Sequence, residues 1–202
     1  MLLSINPEHP EPRKIERAVA VLTAGGILAY PTDTVYGLGC DPLDKQAVER
    51  LYQVKAMPRT KPLALICKDL SDIAKYAIVE NVEYRLLKRF LPGPYCFVLK
   101  ATRDVPRMLQ SKQKTVGIRV PDHAVTRALV EALGRPLLST TASGPEDDEA
   151  LVDPWTIDDT FPTLDLVLEA GACGSLPATV VDLSGGDVRV LREGAGPVDE
   201  LV

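Results

Sequence analysis

Three short segments of this 202-residue chain gather groups able to hold an anion or orient a polar substrate: Thr32, Asp33, Thr34 and Tyr36; Thr115 and Arg119; Ser139, Thr140, Thr141 and Ser143. Each accompanies an apolar run, and ligands of α/β sheets bind at strand ends, so the three segments predict one polar pocket. Lys55, Arg59 and Lys61 lie on a connection beside it and offer point charges or a guanidinium fork for phosphate oxygens. Such a set grips and neutralises; it does not attack. His9 and His123 are the two histidines, which leaves Ser-His-Asp and Cys-His chemistry without a well-placed base. Cys40, Cys67, Cys96 and Cys173 are scattered singly, which predicts reduced, mostly buried thiols and neither a disulfide framework nor a zinc site. The glycine-rich turns match neither GxxxxGK[ST] nor GxGxxG. The run Glu146, Asp147, Asp148, Glu149 reads as a solvated acidic loop, not as a Mg²⁺ cage.

The elements that must position these groups alternate. Pro12 followed by IERAVAVLTAGG predicts an amphipathic helix with Ile15, Ala18, Val19 and Leu22 on one side, ended by Gly25 and Gly26. ILAYP then reads as a buried strand and PTDTVYGLG as a turn-rich loop, with the tail before Pro12 frayed. A second helix spans roughly Lys45 to Lys55, and Pro58 forces a loop before the strand-like LALIC. Helical patterns over Leu70 to Tyr76 and Val82 to Phe90 precede a turn and the strand CFVLK. TVGIRVP, AVTRALVEAL and PLLSTTA continue as strand, helix and strand, and a short element covers Ile157 to Thr160. DLVLEAG, ATVVDLSGG and DVRVLREG close the chain as three short strands of more antiparallel character. Near-continuous apolar strands between helices argue for an α/β sheet covered by helices.

No run of about 18 apolar residues is present and the N-terminus is polar and proline-rich, so a single cytosolic domain over residues 1–202, away from membranes, is expected. The net charge of −5 conceals a segregation. Ten Lys/Arg against Asp104 and Asp122 make Arg85 to Arg127 strongly basic, while fourteen acids against Arg189 and Arg192 make the segment after Thr141 strongly acidic. A basic stretch inside an acidic protein predicts an anionic partner.

The run AYPTDTVYGLGCDP, the helix ending at Lys55 with KPLALI after it, then TVGIRVPDH, PLLSTTASG, ATVVDLSGG and VLREGAG together resemble the YrdC/YciO family over nearly the whole chain. The resemblance implies a single-domain YrdC-like α/β fold: a twisted mixed, largely parallel sheet flanked by helices, with a large concave basic surface. The family's best-known members are threonylcarbamoyl-adenylate synthases, which join L-threonine, bicarbonate and ATP into threonylcarbamoyl-AMP for tRNA modification. The ATP would be a substrate and bring its own Mg²⁺, so no metal site in the protein is expected. Carried over by position, Arg119 would grip the substrate carboxylate and Lys55 the phosphates, the two as catalytic groups. Thr34 and Thr141 would meet the amino acid; Arg59, Lys61, Thr115, Ser143 and Arg192 would meet the nucleotide.

The departures from the family pattern point toward its YciO branch. The K-x-R signature reads Lys55-Ala56-Met57, the S-x-N signature reads Thr141-Ala142-Ser143, and Ala178 stands where relatives carry serine. Two functions follow: a threonylcarbamoyl-adenylate synthase, or a protein that binds tRNA or double-stranded RNA through the basic stretch and retains a degenerate nucleotide pocket.

Overall fold

A computed structural model describes residues 1–144 and 149–201 of the chain. In chain order its elements are β1 (Leu2–Ser4), α1 (Pro12–Thr23), β2 (Leu28–Tyr30), β3 (Gly37–Cys40), α2 (Lys45–Val54), β4 (Ala64–Ile66), α3 (Leu70–Tyr76), β5 (Ala77–Ile78), α4 (Asn81–Phe90), β6 (Tyr95–Ala101), β7 (Thr115–Arg119), α5 (Ala124–Leu133), β8 (Leu137–Thr141), α6 (Pro154–Thr160), β9 (Leu166–Glu169), β10 (Thr179–Asp182) and β11 (Arg189–Arg192). All the strands join one mixed sheet in the order β1-β9-β2-β3-β8-β4-β7-β6-β10-β11, with β5 added beside β6. The helix-flanked mixed sheet is the one expected. Within it β1/β9, β2/β9, β4/β7 and β6/β10 pair in parallel and the other six pairings are antiparallel. Antiparallel strands here are also buried on both faces, so the apolar runs that read as parallel do not separate the two arrangements.

The helices begin and end where local chemistry requires. Pro12 occupies the first turn of α1, whose Ile15, Ala18 and Leu22 are buried. Asp44 caps α2 by accepting from Gln46 N (2.9 Å) and Ala47 N (3.1 Å). His123 caps α5 through Nδ1, which accepts from Val125 N at 3.3 Å, and Gly134 in the left-handed region (φ 72°) stops that helix. The histidine that stood as one of two candidate bases is thus a helix cap, and burial holds its pKa below the ordinary value.

Three segments differ from the sequence reading. The N-terminal tail is not frayed through its length: Leu2–Ser4 pairs with β9, and Ile5 is buried. The loop read across PTDTVYGLG ends early, because Gly37–Cys40 is strand β3, antiparallel to β2 and β8. Of the three closing strands read as more antiparallel, β9 is parallel to both β1 and β2 and β10 is parallel to β6, while only the β10/β11 pairing is antiparallel. Of the acidic run, Glu146, Asp147 and Asp148 lie outside the described residues.

The glycines of β3 have a steric cause. The Tyr30 ring, fully buried, crosses β3 from β2 and places its hydroxyl 2.5 Å from Ser139 Oγ on β8. A Cβ at Gly37 would come within 2.8 Å of Tyr30 Cζ and 3.0 Å of Ser139 Oγ, and one at Gly39 within 2.8 Å of Leu137 Cδ2. The two glycines are the slot in which the ring lies, and their turn-like composition hides a strand.

The sheet's two faces are covered unequally. One carries the larger apolar cluster, including Leu38, Leu65, Phe97, Leu99, Ile118 and Val181, with α2, α3, α4 and α6 contributing side chains. On the other, α1 and α5 pack through Ile15, Ala18, Leu22, Val125 and Leu129 against Leu28, Leu137, Leu166 and Leu168. This second cover stops short of β7, β6 and β10, none of whose residues belongs to that cluster. Gly37→Ala is expected to cost about 1–3 kcal/mol through overpacking against Tyr30. Gly185→Ala, where nothing lies within 4 Å of the added carbon, is expected to stay within about 0.5 kcal/mol. Equilibrium urea unfolding of the two variants measures the difference.

Candidate active site

The uncovered part of that face forms a cleft of about 1380 Å³, larger than the roughly 300–1,000 Å³ usual for a small-molecule site. Its floor can be read from strand register, since residues paired across a sheet share a face. One row runs Ser139, Ala64, Gly117, Val98, Asp182, Arg189 from β8 to β11. All six line the cleft, and the smallness of Ala64 and Gly117 keeps its middle low. A neighbouring row pairs Ile66 with Arg119 on one side and joins Cys96, Val180 and Arg192 on the other. The Cys96 thiol lies where both arginine charges reach it, yet burial dominates and pushes its pKa up, so it is a packed thiol and not a nucleophile.

Seven of the nine site residues expected from the sequence line this one cleft: Arg59, Lys61, Thr115, Arg119, Thr141, Ser143 and Arg192. The wall holds six cations, these four with Lys112 and Arg189, against the carboxylates of Asp182 and Asp187. The concavity is therefore basic, but only Lys112 and Arg119 come from the Arg85-to-Arg127 stretch. Elsewhere in that stretch Arg89 pairs with Glu200 and Arg127 with Asp122.

Arg119 is the most constrained of the cations. Its side chain is 11% exposed, and its Nη2 donates to Asp33 Oδ1 at 2.6 Å and to Thr34 Oγ1 at 3.1 Å. Thr34, expected on the amino acid, is 2% exposed and outside the cleft lining; its hydroxyl serves Arg119. Thr32 organises the same turn: its Oγ1 donates to Val35 O at 2.6 Å and accepts from Thr34 N at 3.1 Å. Asp33 Oδ2 and Arg119 Nε are the buried side-chain polar atoms for which no partner is found among the described residues.

Lys55, expected on phosphate, is 4% exposed and also outside the cleft lining. Its Nζ lies 2.6 Å from both the carbonyl oxygen and the Oγ of Ser143. The reason is the way α2 ends. Ala56 takes the left-handed conformation (φ 48°), with Ala56 N donating to Gln53 O (3.0 Å) and Met57 N to Tyr52 O (3.1 Å), which is a Schellman termination. That motif wants an apolar residue at the position of Met57, and Met57 packs against the core. Arg59, two residues on, reaches the rim, where it pairs with Glu49 and stays 71% exposed.

At the far wall Arg192 donates to Ala178 O at 2.9 Å, on the position where a serine was expected. The turn after it fits closely: a Cβ on Gly194 would collide with the Pro177 carbonyl. Ser139 was expected in the pocket from the sequence, but its hydroxyl partner Tyr30 was not, and Lys112 was marked only as part of the basic stretch. The spaced glycines of β3 were the signal for Tyr30. Burial raises the Tyr30 pKa to about 12, so its phenol stays neutral and donates or accepts a hydrogen bond at physiological pH.

A family model for the Sua5/YciO/YrdC domain, described as "telomere recombination", matches residues 20–194. The chain belongs to the Sua5/YciO/YrdC family. It is 43% identical over 196 residues to YciO of Escherichia coli (strain K12), covering 96% of this chain and 95% of YciO. The crystal structure of E. coli YciO superimposes with a TM-score of 0.96 at 41% identity, covering 100% of this chain and 99% of the other. The threonylcarbamoyl-AMP synthase of Chromobacterium violaceum is 36% identical over 189 residues, 92% of this chain and 96% of that one. P. abyssi Sua5, crystallised with L-threonine, superimposes with a TM-score of 0.92 at 28% identity over all of this chain and 59% of the Sua5 chain. Among the described residues no helix is long and apolar enough to cross a membrane.

The Arg119–Asp33 pair also tests the cleft's architecture. Asp33→Ala leaves a guanidinium buried without its carboxylate and is expected to cost about 3 kcal/mol in chemical unfolding. Asp33→Ala combined with Arg119→Met removes both charges and is expected to recover at least half of that loss.

Proposed function

We propose that this YciO-like member catalyses adenylate formation of the threonylcarbamoyl-AMP synthase type, with L-threonine, bicarbonate and Mg-ATP as substrates. The observation that carries the reading is the cleft itself: a partly buried, pre-oriented arginine beneath a wall of hydroxyls and further cations, on the scaffold shared with threonylcarbamoyl-AMP synthases and with Sua5 bound to L-threonine.

The chemistry suits such a site. The threonine nitrogen bonds to the bicarbonate carbon with loss of water, which gives a carbamate. One carbamate oxygen then attacks the α-phosphorus of ATP, and the bond to pyrophosphate breaks. The protein needs no nucleophile of its own; it aligns the reactants and offsets developing charge. Arg119, its Nη2 fixed by Asp33 and Thr34, would hold the threonine carboxylate, with Thr141 beside it. Arg59, Lys61 and Arg192 would face the phosphates, and Thr115 and Ser143 would orient the nucleotide. Mg²⁺ would come with ATP.

Met57 sets the scale of this activity. A charge-assisted hydrogen bond is worth about 1.5–3 kcal/mol, so replacing a phosphate-facing arginine by a core-packed thioether costs roughly ten- to a hundredfold unless Arg59 compensates. Purified protein given L-threonine, bicarbonate and Mg-ATP should therefore release pyrophosphate slowly. Arg119→Ala should lower that rate about a hundredfold and Arg59→Ala about tenfold. Release from the wild type no faster than from Arg119→Ala would end the proposal.

A second reading draws on the connection between β6 and β7. Arg103, Arg107, Lys112 and Lys114 are exposed along it, and its residues 108–113 form one lip of the cleft. A tRNA or double-stranded RNA backbone lying on this lip would release counterions, so its affinity should fall steeply and linearly in log salt. Filter binding between about 50 and 200 mM salt measures it, and a flat profile rejects RNA as a partner of this surface.

A further inference from the structure

Lys55 is the signature cation of the chain, yet the cleft wall is made by the residue it holds. We infer that Lys55 is a positioning residue, which fixes the Ser143–Ala150 bridge as a wall of the cleft and acts on ligand through Ser143. The inference deepens the adenylate reading, since it assigns a role within the same site.

Three observations converge on it. Lys55 touches Ser143 at two places, the carbonyl oxygen and Oγ, each 2.6 Å from Nζ, so one ammonium fixes both a peptide plane and a side-chain rotamer. Ser143 is 3% exposed, lines the cleft, and bridges Ala150, which lines it too. Gly144 N donating to Glu149 O (3.1 Å) and Leu151 N to Ala142 O (2.8 Å) flank that bridge. At the other end Lys55 is the C-cap of the Asp44-capped α2, its own N donating to Leu51 O at 3.1 Å. The Phe161 ring centroid lies 6.0 Å from its Nζ. The end of a capped helix thus reaches across to the segment that follows β8 and holds it at Ser143.

A phosphate ligand and a positioning residue predict different patterns of loss. Native-state hydrogen exchange of Lys55→Met should show the amides of Gly144 and Leu151 losing protection about tenfold or more, with amides of β2 and β9 unchanged. Ser143→Ala, which removes the Oγ contact and keeps the carbonyl one, should move the same amides in the same direction by less. Titration calorimetry with adenosine, AMP and Mg-ATP supplies the second arm. Positioning predicts a similar fold-loss in affinity for all three in Lys55→Met, and a Lys55→Met/Ser143→Ala double variant that loses less than the product of the single losses. Unchanged exchange at Gly144 and Leu151, or a loss confined to Mg-ATP, overturns the inference. Should the wild type bind none of the three nucleosides and nucleotides, the adenylate reading falls, and the exchange comparison alone decides the role of Lys55.

Discussion

A sheet buried on both faces has no room for a ligand, and here the room comes from incomplete cover. Helices α1 and α5 lie over one end of a face, through Ile15, Leu22 and Leu129, and leave β7, β6 and β10 without a helix above them. Everything at the site follows from that gap. The bare strands must end in groups that tolerate water, which is why Thr115, Arg119, Asp182 and Arg189 stand on the same face that holds Leu28 and Leu166 further along. The floor must also be low, and Ala64 opposite Gly117 makes it so.

Cations in such a gap face two demands, since they must be desolvated enough to attract a ligand strongly and held enough not to collapse onto the nearest carboxylate. The chain meets them in graded fashion. Arg119 is nearly buried and its guanidinium is oriented by Asp33 and Thr34. Arg192 leans on a backbone carbonyl, and Arg59 stays on the rim with Glu49. Burial of the charge and the number of groups that orient it thus increase together.

Much of this was legible in the residues. The 3.6-residue pattern of α1 and the stop signals at Gly25 and Gly26 and around Lys55 depend on local chemistry, and the helices begin and end close to where those signals lie. The convergence of the hydroxyl-bearing segments was also readable, because strand ends of one sheet open onto common ground. What was not readable depends on partners distant in sequence. Gly37 and Gly39 look like turn residues until the Tyr30 ring is laid across them. Leu2–Ser4 looks like a tail until β9 arrives beside it from the far end of the chain. Lys55 and Thr34 were placed in the right neighbourhood, but their contacts to Ser143 and Arg119 could not be read, since nothing local says which polar neighbour a side chain meets. Met57 is the instructive case: as a lost arginine it is a defect, and as the apolar stop of α2 it is a normal helix end.

Arg189 and Arg192 sit on β11, one of the sheet's edge strands, which has β10 on one side and, among the described residues, no strand on the other. Edge strands open at lower free energy than interior ones. Any anion bridging Arg192 to the interior Arg119 would therefore anneal the edge as it binds, and the occupancy of the cleft and the integrity of the C-terminal segment become one thermodynamic variable. Loss of such an anion would loosen β11.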